Sequence, residues 1–102
     1  MNDRELLELA AKAAGVDFIS ERSTDQMLWI VGGGVWSPKH DDGDALRLAV
    51  KLQMELKVYE VSAHAASAMG GCSVCTSEKG DPYAATRRAI VRAAAEIGRN
   101  MT

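Results

Sequence analysis

Cys72-Ser73-Val74-Cys75 is the sharpest chemical motif in this chain. Cys-x-x-Cys is the spacing of half a zinc site or of a redox-active pair. A structural zinc takes four ligands, no second Cys pair exists, and His40 and His64 are the remaining nitrogen donors. A zinc deaminase would carry His-x-Glu and a Pro before its first Cys. Here Ala65-Ala66 follow His64 and Gly71 precedes Cys72, so that chemistry is excluded. A thioredoxin-like pair opens a helix, where the thiol pKa is lowered, whereas this pair lies in an extended or looped stretch. A metal-binding reading therefore rests on Cys72, Cys75 and His64. The plainer one is two ordinary cysteines.

Gly32-Gly33-Gly34 follows a strand-like run and could offer backbone N–H groups to a phosphate. No Gly-Lys-Ser/Thr follows it, no Gly-x-Gly-x-x-Gly is present, and no helix opens directly after it. Trp29 and Trp36 flank the glycines. With Gly32, Gly33 and Gly34 they outline a small-ligand pocket of nucleotide type, or they fill core. Asp41, Asp42 and Asp44 are a carboxylate cluster suited to a divalent cation or to acid–base work. At the start of a helix the same residues serve as caps. Arg87, Arg88 and Arg92 put positive charge along one helix, fit for a phosphorylated ligand, a nucleic acid or solvent. No aromatic residues interleave with them, which disfavours nucleic acid.

These residues must be positioned by a short series of elements. Asn2 and Glu5 form a capping box, and Leu6, Leu9, Ala10 and Ala13 give a helical stripe that Gly15 ends. Val16–Ile19 and Met27–Val31 read as strands joined by the polar turn 20–25, an antiparallel hairpin that the three glycines then break. Ser37-Pro38 predicts an irregular connection. Asp41 or Asp42 caps a second helix over about Asp44–Glu55, apolar on most of its surface and so packed on more than one side or against a second copy. Leu56–Ala63 and Cys72–Thr76 read as strands, and 64–71 is ambiguous. Asp81-Pro82 opens the last helix, with Tyr83, Ile90, Ala94 and Ile97 on one face and Gly98 as its stop.

That order predicts an α+β fold, a three-layer α-β-α sandwich with three helices and a small, mainly antiparallel sheet of three or four strands. The 102 residues suit one domain, 1–102. Twelve Lys and Arg against fourteen Asp and Glu leave a charge of −2, which disfavours a nucleic-acid partner. No apolar run approaches the ~20 residues of a membrane helix. The acidic N-terminal stretch does not read as a secretory signal, so a reducing cytoplasm is expected.

Two stretches also resemble a known family. Trp36-Ser37-Pro38-Lys39-His40-Asp41-Asp42-Gly43-Asp44-Ala45-Leu46-Arg47-Leu48-Ala49-Val50 is similar to the Trp-x-Pro-x-x-Asp-Asp-Gly-Asp-Ala-x-Arg-Leu-Ala segment of the phage ABA sandwich domain family, small phage and prophage proteins. Asp81–Ala95 resembles that family's C-terminal helix, and the N-terminal helix is similar too. The resemblance implies a three-layer fold and a phage origin, expressed in a bacterial host cytoplasm. It supplies no reaction and no cofactor. The expectation is a non-enzymatic accessory protein that binds a host or phage macromolecule, a host-defence inhibitor among the options. Its partner, expected to be a protein, would meet Trp36, Asp41, Asp42 and Asp44 in the central loop and Arg87, Arg88 and Arg92 on the last helix. The alternatives are the small-ligand pocket and the metal site above, and a homodimer is open.

Overall fold

A computed structural model describes residues 3–24, 27–58, 63–67, 72–76 and 81–100. Helix α1 (Asp3–Ala14) is followed by the short strand β1 (Phe18–Ile19), a 3₁₀ turn (Ser20–Arg22), β2 (Leu28–Ile30) and β3 (Val35–Trp36). Then come α2 (Asp42–Lys51), β4 (Met54–Val58), β5 (Ala63–Ser67), β6 (Cys72–Thr76) and α3 (Pro82–Arg99). The fold is α+β, with its strands antiparallel in two three-stranded sheets, β1-β2-β3 and β4-β5-β6.

Local chemistry sets most of the boundaries. Gly15 takes φ +72°, Val16 N–H reaches the Ala11 carbonyl (2.9 Å) and Gly15 N–H the Lys12 carbonyl (3.3 Å), the paired bonds of a Schellman end. Asp41 caps α2 by accepting from Gly43 N–H (2.9 Å), and Asp81 caps α3 by accepting from Ala84 N–H (3.0 Å) with Pro82 in the first turn. Asn2 of the expected capping box lies outside the described residues. Helix α2 stops four residues short of the expected Glu55. Leu52 closes it onto the Leu48 carbonyl (3.1 Å), and Gln53 at φ +53° turns the chain into β4.

Three expectations about faces are corrected. On α1 the buried residues are Leu7, Ala10, Ala11 and Ala14, with Leu6 and Ala13 only half-covered. The stripe is turned by one residue, about 100° around the helix, from the expected one. Gly98 does not end α3, which continues through Arg99 to a cap at Asn100. A Cβ on Gly98 would collide with the Leu9 carbonyl oxygen, with the carbonyl carbon at 2.8 Å, so glycine is there for the close crossing of α1 and α3. And α2 is not covered all round: Leu46 is 58% and Val50 69% exposed.

The helix at the centre is α3. Ala85, Ala89 and Ala93, four apart, face Met54 and Leu56 of the second sheet. Ile90, Val91, Ala94 and Ile97 join Leu7, Ala10 and Ala14 of α1, Leu48 and Leu52 of α2, and Leu28 and Trp36 of the first sheet. Small side chains on two sides let both neighbours approach closely.

Candidate functional site

The heads of α2 and α3 lie side by side, and the loop before α2 is fastened between them. Asp44 accepts Ser37 N–H (3.0 Å) and an Arg47 guanidinium N–H (2.6 Å) while nearly buried. That hydrogen bond from Arg47 raises the Arg47 pKa above its ordinary value. His40 and Asp41 N–H both reach the Ser37 carbonyl (3.0 and 2.8 Å). From α3, Arg87 donates to the Lys39 carbonyl (2.8 Å) and pairs with Asp42 (2.6 Å). The guanidinium thus ties a backbone carbonyl and a carboxylate 45 residues away to one point.

Beside that tie lies an open groove of about 460 Å³, lined by the Asp42–Arg87 pair and by Leu46, Leu56, Tyr83 and Ile90 among others. Its walls are mainly apolar. Tyr83 at the rim is 68% exposed, and Leu46 on the opposing helix is nearly as open. Large exposed apolar side chains around a concavity, with a few polar groups at its edge, are what a binding site offers. Leu46 and Tyr83 look like packing residues in the sequence, because periodicity marks a face as apolar without saying whether anything covers it. The one available signal was the apolar excess of α2.

The expected contact residues separate into different roles. Trp36 is only 7% exposed and sits in the core opposite Leu28, which removes it from any contact surface. Asp44 is likewise buried, holding the loop rather than meeting a partner. Asp41 is exposed and spent on the cap of α2. Asp42 and Arg87 remain at the groove, paired to each other. Arg88 and Arg92 are exposed on another side of α3, where they line a small hollow with Asp3, Leu6, Lys39 and Val91. Lys39 there pairs with Asp3 (2.7 Å).

The small-ligand constellation is dispersed by the first sheet. Leu28 pairs with Trp36 and Trp29 with Val35, so the two tryptophans fall on opposite faces and enclose nothing between them. Arg22 lies over the Trp29 ring, 4.7 Å from its centre. Gly32, Gly33 and Gly34, expected to break a strand, instead turn β2 into β3. All three have φ near +100° (99°, 112° and 97°), and Gly33 N–H is used on the Ile30 carbonyl (3.1 Å). Glycine is required there by the turn, without reference to a phosphate.

The metal constellation lies in the second sheet. His64 stands directly across from Cys75, and Cys72 across from Ser67. Positions 72 and 75 are three apart in one continuous strand. No helix among the described residues is long and apolar enough to cross a membrane. Comparison of the chain with protein families, with curated proteins and with solved structures finds no match.

Proposed function

We propose that this protein is a non-enzymatic binding protein that docks a protein partner in the groove between the heads of α2 and α3. The observation that carries this reading is the pair of exposed side chains Leu46 and Tyr83 flanking an apolar concavity of about 460 Å³. Leaving such side chains in water gives up roughly 1.5–3 kcal/mol each relative to burial, so an apolar anchor from a partner would find its contact surface ready. The Asp42–Arg87 pair at the edge gives orientation: an incoming backbone or polar group can exchange hydrogen bonds with either member. The resemblance of residues 36–50 and 81–95 to the phage ABA sandwich family supports a phage-encoded accessory role in a bacterial cytoplasm, directed at a host or phage macromolecule, with inhibition of a host defence system among the options.

The test is site-specific photocrosslinking in bacterial cells, with the reactive side chain placed at Leu46, at Tyr83 and, as a control, at Glu21 in the 3₁₀ turn. The expected result is one protein captured at both 46 and 83 and not at 21. Capture of a second copy of this chain at 46 would replace the partner by a homodimer. Equal, diffuse labelling at all three positions would end the reading.

A further inference from the structure

The loop between β3 and α2 is tied to all three helices, and Lys39 carries two of the ties. Its carbonyl accepts Arg87 Nε–H of α3 (2.8 Å). Its ammonium reaches the Asp3 carboxylate in the first turn of α1 (2.7 Å). The third tie is to α2, where Asp44 accepts Ser37 N–H (3.0 Å). At both outer ends a largely covered cation meets an open carboxylate. The Lys39 side chain is 15% exposed against 58% for Asp3, and that of Arg87 is 18% exposed against 64% for Asp42. A cation shielded from water in this way depends on the anion beside it. Asp3 is held below the usual carboxylate range, first by its hydrogen bond from Lys39 and then by the charges of Lys39, Arg88 and Arg92. The titration of Asp3 therefore reports where the Lys39 ammonium stands. The loop itself is stiff. Pro38 is fully buried and its ring fixes φ, and His40 and Asp41 N–H both close onto the Ser37 carbonyl (3.0 and 2.8 Å). A backbone shift at Lys39 carries the root of its side chain along, and a stem this well covered has little freedom to compensate.

We propose that loop 37–41 is a strap that couples the groove to the start of α1: a partner that takes over the hydrogen bonds of Arg87 releases the Lys39 carbonyl, and with it the Lys39–Asp3 pair. Arg87 is the one side chain common to both, since it lines the groove with Asp42 and holds the strap. Its guanidinium serves both at once because Nε–H and a terminal N–H point to different acceptors from one plane. Asp3 lies in the first turn of α1, so its release costs an exposed ion pair and little packing, and the start of that helix is the element that responds. Such coupling acts equally in both directions, so loss of the Asp3 pair loosens the hold of Arg87 on the loop. The inference rests on the groove reading for what draws on Arg87. The coupling between Arg87 and Asp3 belongs to the protein without a partner, and each can fail alone.

The experiment is an NMR titration of the Asp3 side-chain carboxyl in the whole protein, with no partner present. Lys39→Met sets the scale, because it removes the ammonium and should raise the Asp3 pKa. The double variant D42N/R87M removes one charge of each sign from a close pair, so the field at a distance is nearly unchanged, while the strap loses its tie to α3. It should raise the Asp3 pKa by about half of the Lys39→Met shift or more. Arg87→Lys keeps the charge and loses the planar fork, and should give a smaller rise of the same sign. The amide spectrum shows whether the double variant is folded. If it is not, Arg87→Lys carries the test. In the reverse direction, Asp3→Asn should speed hydrogen exchange at Arg87 Nε–H by about twofold or more. An Asp3 titration that moves in Lys39→Met but stays fixed in the folded Arg87 variants would overturn the proposal, as would one that stays fixed in Lys39→Met. Unchanged exchange at Arg87 Nε–H in Asp3→Asn would overturn it as well. Purified protein alone is used throughout, so failure to capture a partner at Leu46 and Tyr83 leaves this result standing.

Discussion

Toward α1, α3 presents Ala94, Ile97 and Gly98, and every one of them is buried against a helix that crosses close enough to exclude a Cβ at position 98. Toward α2, at its other end, α3 presents Pro82, Tyr83, Thr86 and Arg87 to an open groove. The first region is closed by small residues. Alanine and glycine let backbones approach until nothing is left to fill. The second is held apart by larger ones: an Arg87–Asp42 tie lies at its edge, and Leu46 and Tyr83 stand exposed along the groove. The same helix therefore closes one end against its neighbour and leaves the other open. An apolar residue means core in the first region and an exposed wall in the second.

That contrast can be tested most severely at the closed seam. Gly98→Val should cost about 3 kcal/mol or more, read as a lower urea midpoint, because the new side chain meets backbone of Leu9, which cannot rotate away. A near-neutral result would mean that α1 and α3 are less tightly joined than described. At the tie between the regions, Asp44→Ala should cost about 2 kcal/mol by leaving the Ser37 N–H without its acceptor in a nearly buried place. Thermal unfolding at one pH measures it, and Asp44→Asn should recover part of the loss. In the open region, Leu46→Ala and Tyr83→Ala should each change stability by no more than about 0.5 kcal/mol. The same substitutions should abolish or sharply weaken partner capture. A large loss of stability at either position would show that the groove is closed core.

The smallest effect concerns Asp3. Its pKa is lowered in the fold by the Lys39 hydrogen bond, so the unfolded chain binds more protons in that range. The ion pair's contribution is then present above the ordinary Asp value and is lost as pH falls through the lowered one. For so exposed a carboxylate it amounts to about 0.5 kcal/mol or less. Comparing urea midpoints of the parent and Asp3→Asn should show a small difference at neutral pH that vanishes in acid. A difference growing toward acid would have the wrong sign for a lowered pKa.

Much of the fold was legible in the sequence because caps and turns are local. The Asp41 and Asp81 caps, Gly15 at a positive φ, and strands near 18–19, 28–30 and 72–76 all follow from residues within a few positions of one another, whereas the strand expected over Leu56–Ala63 begins two residues earlier, at Met54, and Ala63–Ser67 is a strand where the sequence is ambiguous. The site was less legible. Trp36 reads equally as core or as a ligand or contact residue because it is large and beside a loop, and its burial opposite its cross-strand partner Leu28 decides for core. The three arginines read as one face, but Arg87 and the pair Arg88 and Arg92 diverge, because consecutive residues on a helix point about 100° apart. Lys39, absent from every sequence-based site, gains its role from a carboxylate 36 positions earlier.

The chain's own local pattern was enough for the caps at Asp41 and Asp81, the end of α1 at Gly15 and the antiparallel pairing of β1 with β2, since these depend on backbone groups satisfied within a few residues. Tertiary structure alone decided which of two overlapping apolar stripes on α1 is buried, that α3 and not α2 occupies the centre, and that Leu46 and Tyr83 stay in water. Periodicity records that a face is apolar. Whether another element reaches that face depends on distances between segments far apart in the chain, and no local pattern carries that information.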